Sequence, residues 1–179
     1  MMKLPQDHND EVATFHQKRI SIVSISGQSS YQRRLPGKKT MRDVQEFIHE
    51  LESFLNEFPQ CADVILMLSQ TEEIRLDYEK AITHFKTYLD ITGNRGKKKM
   101  MKKLAMLQES KKFWEQIQLS PFELDLLGKY LEKHYDPDGF TASKEWLSSY
   151  DKPVETIISQ WESIGLFNDF MILQYLFDV

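Results

Sequence analysis

The sequence predicts a mainly α-helical protein, with an antiparallel helical array over residues 40–118 and a small C-terminal subdomain over residues 119–179. Three observations predict it. Apolar residues recur at spacings of about three and four through most of the chain, the rhythm of a helix with one buried face. Starting and stopping residues punctuate that rhythm, with Thr40, Asp77 and Ser120 ahead of apolar runs and Pro59, Gly93 and Gly165 behind them. Only 7 Gly and 6 Pro occur among 179 residues, too few for the many turns of a strand-rich architecture.

Taken in order, residues 1–39 read as a flexible N-terminal tail, polar and unpatterned to residue 19. Residues 20–26, ISIVSIS, are β-branched and partly alternating and predict a short strand, packed on the chain's own surface or pairing with a partner's sheet edge. The glycine and lysines of residues 27–39 are not a phosphate-binding loop. That motif needs glycine at 32 and a hydroxyl at 39, where Gln32 and Lys39 stand.

Thr40 then caps a helix, with Asp43 in the capping-box position. This helix buries Val44, Phe47, Ile48, Leu51, Phe54 and Leu55 and stops before Pro59. His49-Glu50 lacks the second histidine of a zinc-protease helix, because Ser53 stands there. Residues 62–93 read as two antiparallel helices broken at Leu76-Asp77. Val64, Ile65, Leu68 and Ile74 face inward from the first, and Tyr78, Ala81, Ile82, Phe85, Tyr88 and Leu89 from the second. Asp77 caps the second helix and Gly93 ends it, being able to adopt positive φ.

The segment 41–93 resembles a tetratricopeptide repeat, a helix pair recurring about every 34 residues. Ile65 and Leu68 match its large first-helix residues, Ala81 and Phe85 its second-helix pair, and Tyr78 a preferred aromatic. Ser69, Glu72, Tyr88 and Gly93 depart from the pattern. Pro59 closes a preceding half repeat with Phe47, Leu51 and Phe54, and Met101, Leu104 and Ala105 open a shifted one. The resemblance implies a groove that holds a partner peptide or helix, with Thr71, Arg75, His84 and Tyr88 as the candidate groove residues.

Charge is banded: residues 1–40 carry net +4, 41–94 net −7, 95–119 net +6 and 120–179 net −7. The basic band places Met100, Leu104, Leu107, Trp114 and Ile117 on one helical face and lysines on the rest. Lys97, Lys98, Lys99, Lys102 and Lys103 are a candidate patch for nucleic acid or another anionic ligand, or a solvated face that balances the acidic bands.

Ser120, Pro121 and Glu123 form a strong helix start, followed by Phe122, Leu126, Leu127, Tyr130 and Leu131. Asp136-Pro137-Asp138-Gly139 breaks that helix. Asp136, Asp138, Gly139 and Glu145 fall on calcium-loop positions, but His134 occupies the first ligand position and a plain turn is predicted. Short helices follow with Trp146 and Leu147, then with Ile157, Ile158, Trp161 and Ile164 up to Gly165. Residues 170–177, FMILQYLF, are uniformly apolar and read as strand or helix. Three helices, a glycine-leucine step and an apolar run resemble a winged helix. Its third helix, with Glu155 and Glu162 and neither lysine nor arginine, would be repelled by phosphates and implies protein contact. Helical repeats before a winged helix also resemble the shared domain of proteasome-lid, signalosome and initiation-factor scaffolds.

The single cysteine, Cys61, excludes an intrachain disulfide and fits a reducing, cytoplasmic compartment. No apolar run of about 18 residues predicts a membrane span, and the first residues lack the apolar core of a secretion signal. The five histidines are scattered and nothing supplies a nucleophile with an oxyanion donor, so neither enzyme, cofactor nor metal site is expected. The expected function is a non-enzymatic adaptor or assembly subunit that binds another protein. The alternative is a nucleic-acid-binding regulator that uses residues 97–112 and the winged-helix-like region.

Overall fold

A computed structural model describes residues 6–26 and 34–177. Among the described residues there are nine helices and no strand. They divide into two compact units: the first holds the helices up to Lys111, the second the chain from Lys112 onward together with Arg34 and Leu35.

In the first unit, α1 spans Gln6–Ser26, α2 Lys38–Glu57, α3 Ala62–Ile74 and α4 Tyr78–Thr92, and α5, Lys98–Ile117, begins there. The helix α3 adjoins α1, α2 and α4. Its Val64, Met67, Leu68 and Ile74 share one core with Phe47, Leu51 and Phe54 of α2 and with Val12, Phe15 and Ile22 of α1. Phe15 meets Phe47 and Phe54 edge-on, with centroids 6.0 and 5.6 Å away. Each fully buried side chain of this size contributes about 1.5–3 kcal/mol. Ser69 adds a polar tie, its hydroxyl donating to the Ala81 carbonyl at 2.7 Å, which joins α3 to α4 in a buried position.

The N-terminal segment corrects the expectation of a flexible tail with a strand at residues 20–26. Residues 6–26 are helical; residues 1–5 and 27–33 of the expected tail lie outside the described residues. The side chains decide between the readings. A strand would turn Ile20 and Ile22 to the same face, whereas a helix separates them by about 200°. Ile22 is 6% exposed and Ile20 52%, as a helix requires. Thr40 is corrected too: α2 starts three residues earlier, with Gly37 at the cap position, and Thr40 is buried inside the first turn.

The α3–α4 break forms as expected. Asp77 accepts from the Lys80 N–H, and Gly93 closes α4 at φ 64°. Leu76, between the two helices, also takes positive φ, 67°, a conformation that costs a side-chain-bearing residue about 1 kcal/mol or more. Along α5, Leu104, Leu107 and Ile117 are buried and Met100 and Trp114 half-buried, the face read from their spacing.

The second unit contains the end of α5, then α6 Pro121–His134, α7 Thr141–Ser149, α8 Val154–Ser163 and α9 Asp169–Leu176. Ser120 and Glu123 form the full reciprocal capping box at the start of α6. Leu124, Leu127 and Leu131 of α6 meet Trp146, Leu147, Ile157, Ile158 and Trp161 in the core. Trp161 is fully buried, and its indole N–H donates to the Ile117 carbonyl at the end of α5, 3.0 Å away. After α8 the Gly165 and Leu166 N–H groups return to Glu162 and Trp161 carbonyls, the paired bonds of a glycine-closed helix end.

The winged-helix expectation is corrected at residues 170–177. Where a wing strand would follow Gly165, Asn168 caps a helix by accepting from the Met171 N–H at 2.7 Å. Ile172, Leu173 and Leu176 of that helix are buried, a spacing that only a helix turns to one side. The subdomain is thus the helical alternative. Gly128 of α6 makes room for Phe177: a Cβ at this glycine would lie 2.6 Å from the Phe177 ring.

Candidate interaction surfaces

The expected groove residues fall on α3 and α4 and at the turn between them. Thr71 is fully buried, and its hydroxyl is spent on the Met67 carbonyl, 2.7 Å away, so it presents nothing to a partner. Arg75 is half-buried and ties the turn together, donating to Gln45 of α2 and to Asp77 at 3.0 Å. Tyr88 is half-buried and stacks on Phe85 at 6.0 Å. His84 reaches across to α3, its Nδ1 2.8 Å from Glu72 Oε2.

Glu72 is the residue that sequence reasoning passed over here, noted only as a departure from an aromatic position. It is fully buried, and its second carboxyl oxygen has no hydrogen-bond partner. A buried carboxylate is costly unless paired, and His84 provides the pairing. The carboxylate's hydrogen bond holds the His84 pKa above its ordinary value, against the opposing pull of partial burial. The pair joins α3 to α4. Among the described residues there is no group of three or more histidine, cysteine or carboxylate side chains placed to hold a metal ion. Cys61 is half-buried, and burial pushes its thiol up, away from the reactive thiolate.

Of the five lysines singled out, four remain available. Lys97, Lys98, Lys99 and Lys102 are exposed and make no ion pair among the described residues. Lys103 instead turns onto α3, with Nζ 2.8 and 2.7 Å from the two Glu73 oxygens.

Six exposed aromatic side chains had no signal in the sequence. Phe122, Tyr135, Tyr150, Phe167, Phe170 and Tyr175, all in the second unit, are 70%, 46%, 49%, 58%, 46% and 55% exposed. Tyr135 and Phe170 lie together with centroids 5.9 Å apart. Beneath them the buried Asp169 carboxylate accepts the N–H groups of Asp136, Ala142 and Ser143 at 3.0, 3.0 and 3.1 Å. Its own N–H donates to the Gly139 carbonyl at 2.8 Å. The Asp-Pro-Asp-Gly turn is satisfied internally as well. Asp136 accepts from the Thr141 hydroxyl and the Asp138 N–H, and the Thr141 bond holds its carboxyl below the usual range.

No family model, curated protein or solved structure matches the chain. Its class is therefore defined by its own helices: an all-helical array, compatible with a helical-repeat fold. Among the described residues no helix is long and apolar enough to cross a membrane.

Proposed function

We propose that this protein is a non-enzymatic protein–protein binding module, an adaptor or assembly subunit whose helices act as a rigid frame. The observation that carries the reading is the set of exposed aromatic side chains on the second unit. Aromatic residues are enriched where proteins meet, because each supplies a large apolar face at small cost in conformational entropy. The tetratricopeptide-like pairing of α3 with α4 adds a second surface to the reading, with Arg75, His84 and Tyr88 as its half-buried polar members.

The test is affinity capture of the tagged chain from its native lysate, with and without nuclease. A variant carrying Phe122→Ser, Phe167→Ser and Phe170→Ser is captured alongside. The expected result is a defined set of proteins that survives nuclease and is lost with the variant. A chain that captures nothing overturns the reading.

A nucleic-acid-binding reading is favoured by one observation, the four exposed lysines of residues 97–102 that make no ion pair among the described residues. Its test is a mobility shift of generic DNA or RNA at low salt. Weakening with added salt and loss on neutralising Lys97, Lys98, Lys99 and Lys102 would support it. Absence of a shift would remove it.

A further inference from the structure

Tyr135 and the start of α9 meet at one corner of the second unit, and the buried Asp169 builds that corner. Its carboxylate gathers the N–H groups of Asp136, Ala142 and Ser143, and its own N–H holds the Gly139 carbonyl. The turn after α6, the first turn of α7 and the start of α9 are thus fixed to one another by four hydrogen bonds, of which those from Ala142 and Ser143 are buried. A surface carried on such a corner is preorganised, so little conformational entropy is lost when a ligand settles on it.

That surface is apolar and bordered by negative charge. Tyr135 and Phe170 lie ring beside ring, and Phe167 stands three residues earlier with more than half its surface exposed. Asp138 is exposed, and the Thr141 hydroxyl holds the Asp136 carboxyl below its usual range. Residues 120–179 as a whole carry net −7. Lys133 is the cationic neighbour on α6, and the His134 ring beside it packs against Tyr130 at 4.6 Å. Aromatic faces are themselves negative at the ring centre and attract lysine or arginine.

Area narrows the occupant further. Three aromatic side chains of about 150–250 Å² each, about half exposed, offer on the order of 300 Å². A stable association of two folded proteins needs about 800 Å² from each side. A second copy of this chain held through this corner alone would fall short, whereas a short segment with one apolar anchor would not.

We propose that Tyr135, Phe167 and Phe170 form a docking surface for a short peptide segment of a partner protein, one with an apolar anchor flanked by lysine or arginine. The inference rests on the binding-module reading and names the partner's chemistry.

The experiment selects from a phage-displayed library of random peptides of about twelve residues on the immobilised full chain. The double variant Phe167→Ser/Phe170→Ser serves as the comparison, and both chains are checked for equal helicity and melting. The expected result is enrichment of peptides with two or more basic residues around an apolar one. A synthetic copy of the best should bind the variant at least about tenfold more weakly and lose affinity as salt rises. Asp138→Asn should weaken it about two- to fivefold. Enrichment of acidic or neutral peptides, or basic peptides that bind the variant equally well, overturns the inference while leaving the binding-module reading intact. Absence of enrichment also overturns it. Concentration-dependent self-association lost in the variant overturns it in favour of contact between copies. Failure of the lysate capture, by contrast, removes the broader reading.

Discussion

Asp169→Ala removes the one acceptor shared by three backbone donors, and its cost follows from their surroundings. Ala142 and Ser143 belong to the first turn of α7, whose N–H groups have no partner within the helix, so Asp169 acts as its cap from a distance of 26 or more residues. Loss of a cap costs about 1–2 kcal/mol, and hydrogen bonds to a charged acceptor contribute about 1.5–3 kcal/mol each. The sum overshoots, because the less buried Asp136 N–H can recover a water. An expected loss of about 3–4 kcal/mol remains for Asp169→Ala. Asp169→Asn keeps one oxygen for two donors and turns an amide N–H₂ toward the third, for an expected loss of about 2 kcal/mol. Urea denaturation followed by tryptophan fluorescence is the assay, since Trp114, Trp146 and Trp161 all lie in the second unit. A loss below about 1 kcal/mol for Asp169→Ala, or Asn as costly as Ala, would refute the reasoning.

Three further outcomes are expected. His84 has a raised folded pKa, so its pairing with Glu72 stabilises fully below the unfolded value near 6.5 and fades as pH rises through the folded value. Amide exchange in α3 and α4 should therefore show wild type better protected than His84→Gln at pH 6, with the gap closing toward pH 9; a gap that widens with pH would contradict the pairing. Trp161→Phe should cost about 2–3 kcal/mol in the same urea assay, from a small cavity and an orphaned Ile117 carbonyl, and a loss within 0.5 kcal/mol would deny that bond any weight. Replacing Lys97, Lys98, Lys99 and Lys102 together by Ala should leave thermal stability within about 0.5 kcal/mol, while Lys103→Ala costs up to about 1 kcal/mol through Glu73; equal effects would erase the distinction between free and paired lysines.

Local signals carried most of the helical order. The apolar faces of α2 to α5 and the stops at Gly93 and Gly165 lie within a few residues of the structure they specify, so spacing and caps suffice to read them. In α6 the inner side was misplaced: Phe122, expected on it, is 70% exposed, and Leu124 is buried in its stead. α1 was lost to a coincidence of composition: ISIVSIS alternates like a strand, and only Val12 and Phe15, several residues upstream, show which period governs. The run at 170–177 gave no period because nearly every position is apolar, and only the Asn168 cap tips it to a helix. His84 was legible as a polar residue on a packed helix, but Glu72, its partner, was twelve residues away and was read only as a departure from the repeat pattern. The aromatic corner was illegible for the same reason on a larger scale. Asp169 bonds groups 26, 27 and 33 residues earlier, and which rings of α9 face outward depends on how it docks against α6 and α7.

The notch at Gly128 carries a consequence for how this chain can vary. A methyl group there would improve the helix by about 1 kcal/mol, yet it would occupy the space of the Phe177 ring. The contact is with the outer atoms of the Phe177 ring, so a larger residue at 128 must be met either by a turn of that ring or by a smaller side chain at 177. Where the ring cannot turn away, alanine or serine at position 128 should be tolerated only together with a smaller side chain at 177, almost fifty residues on.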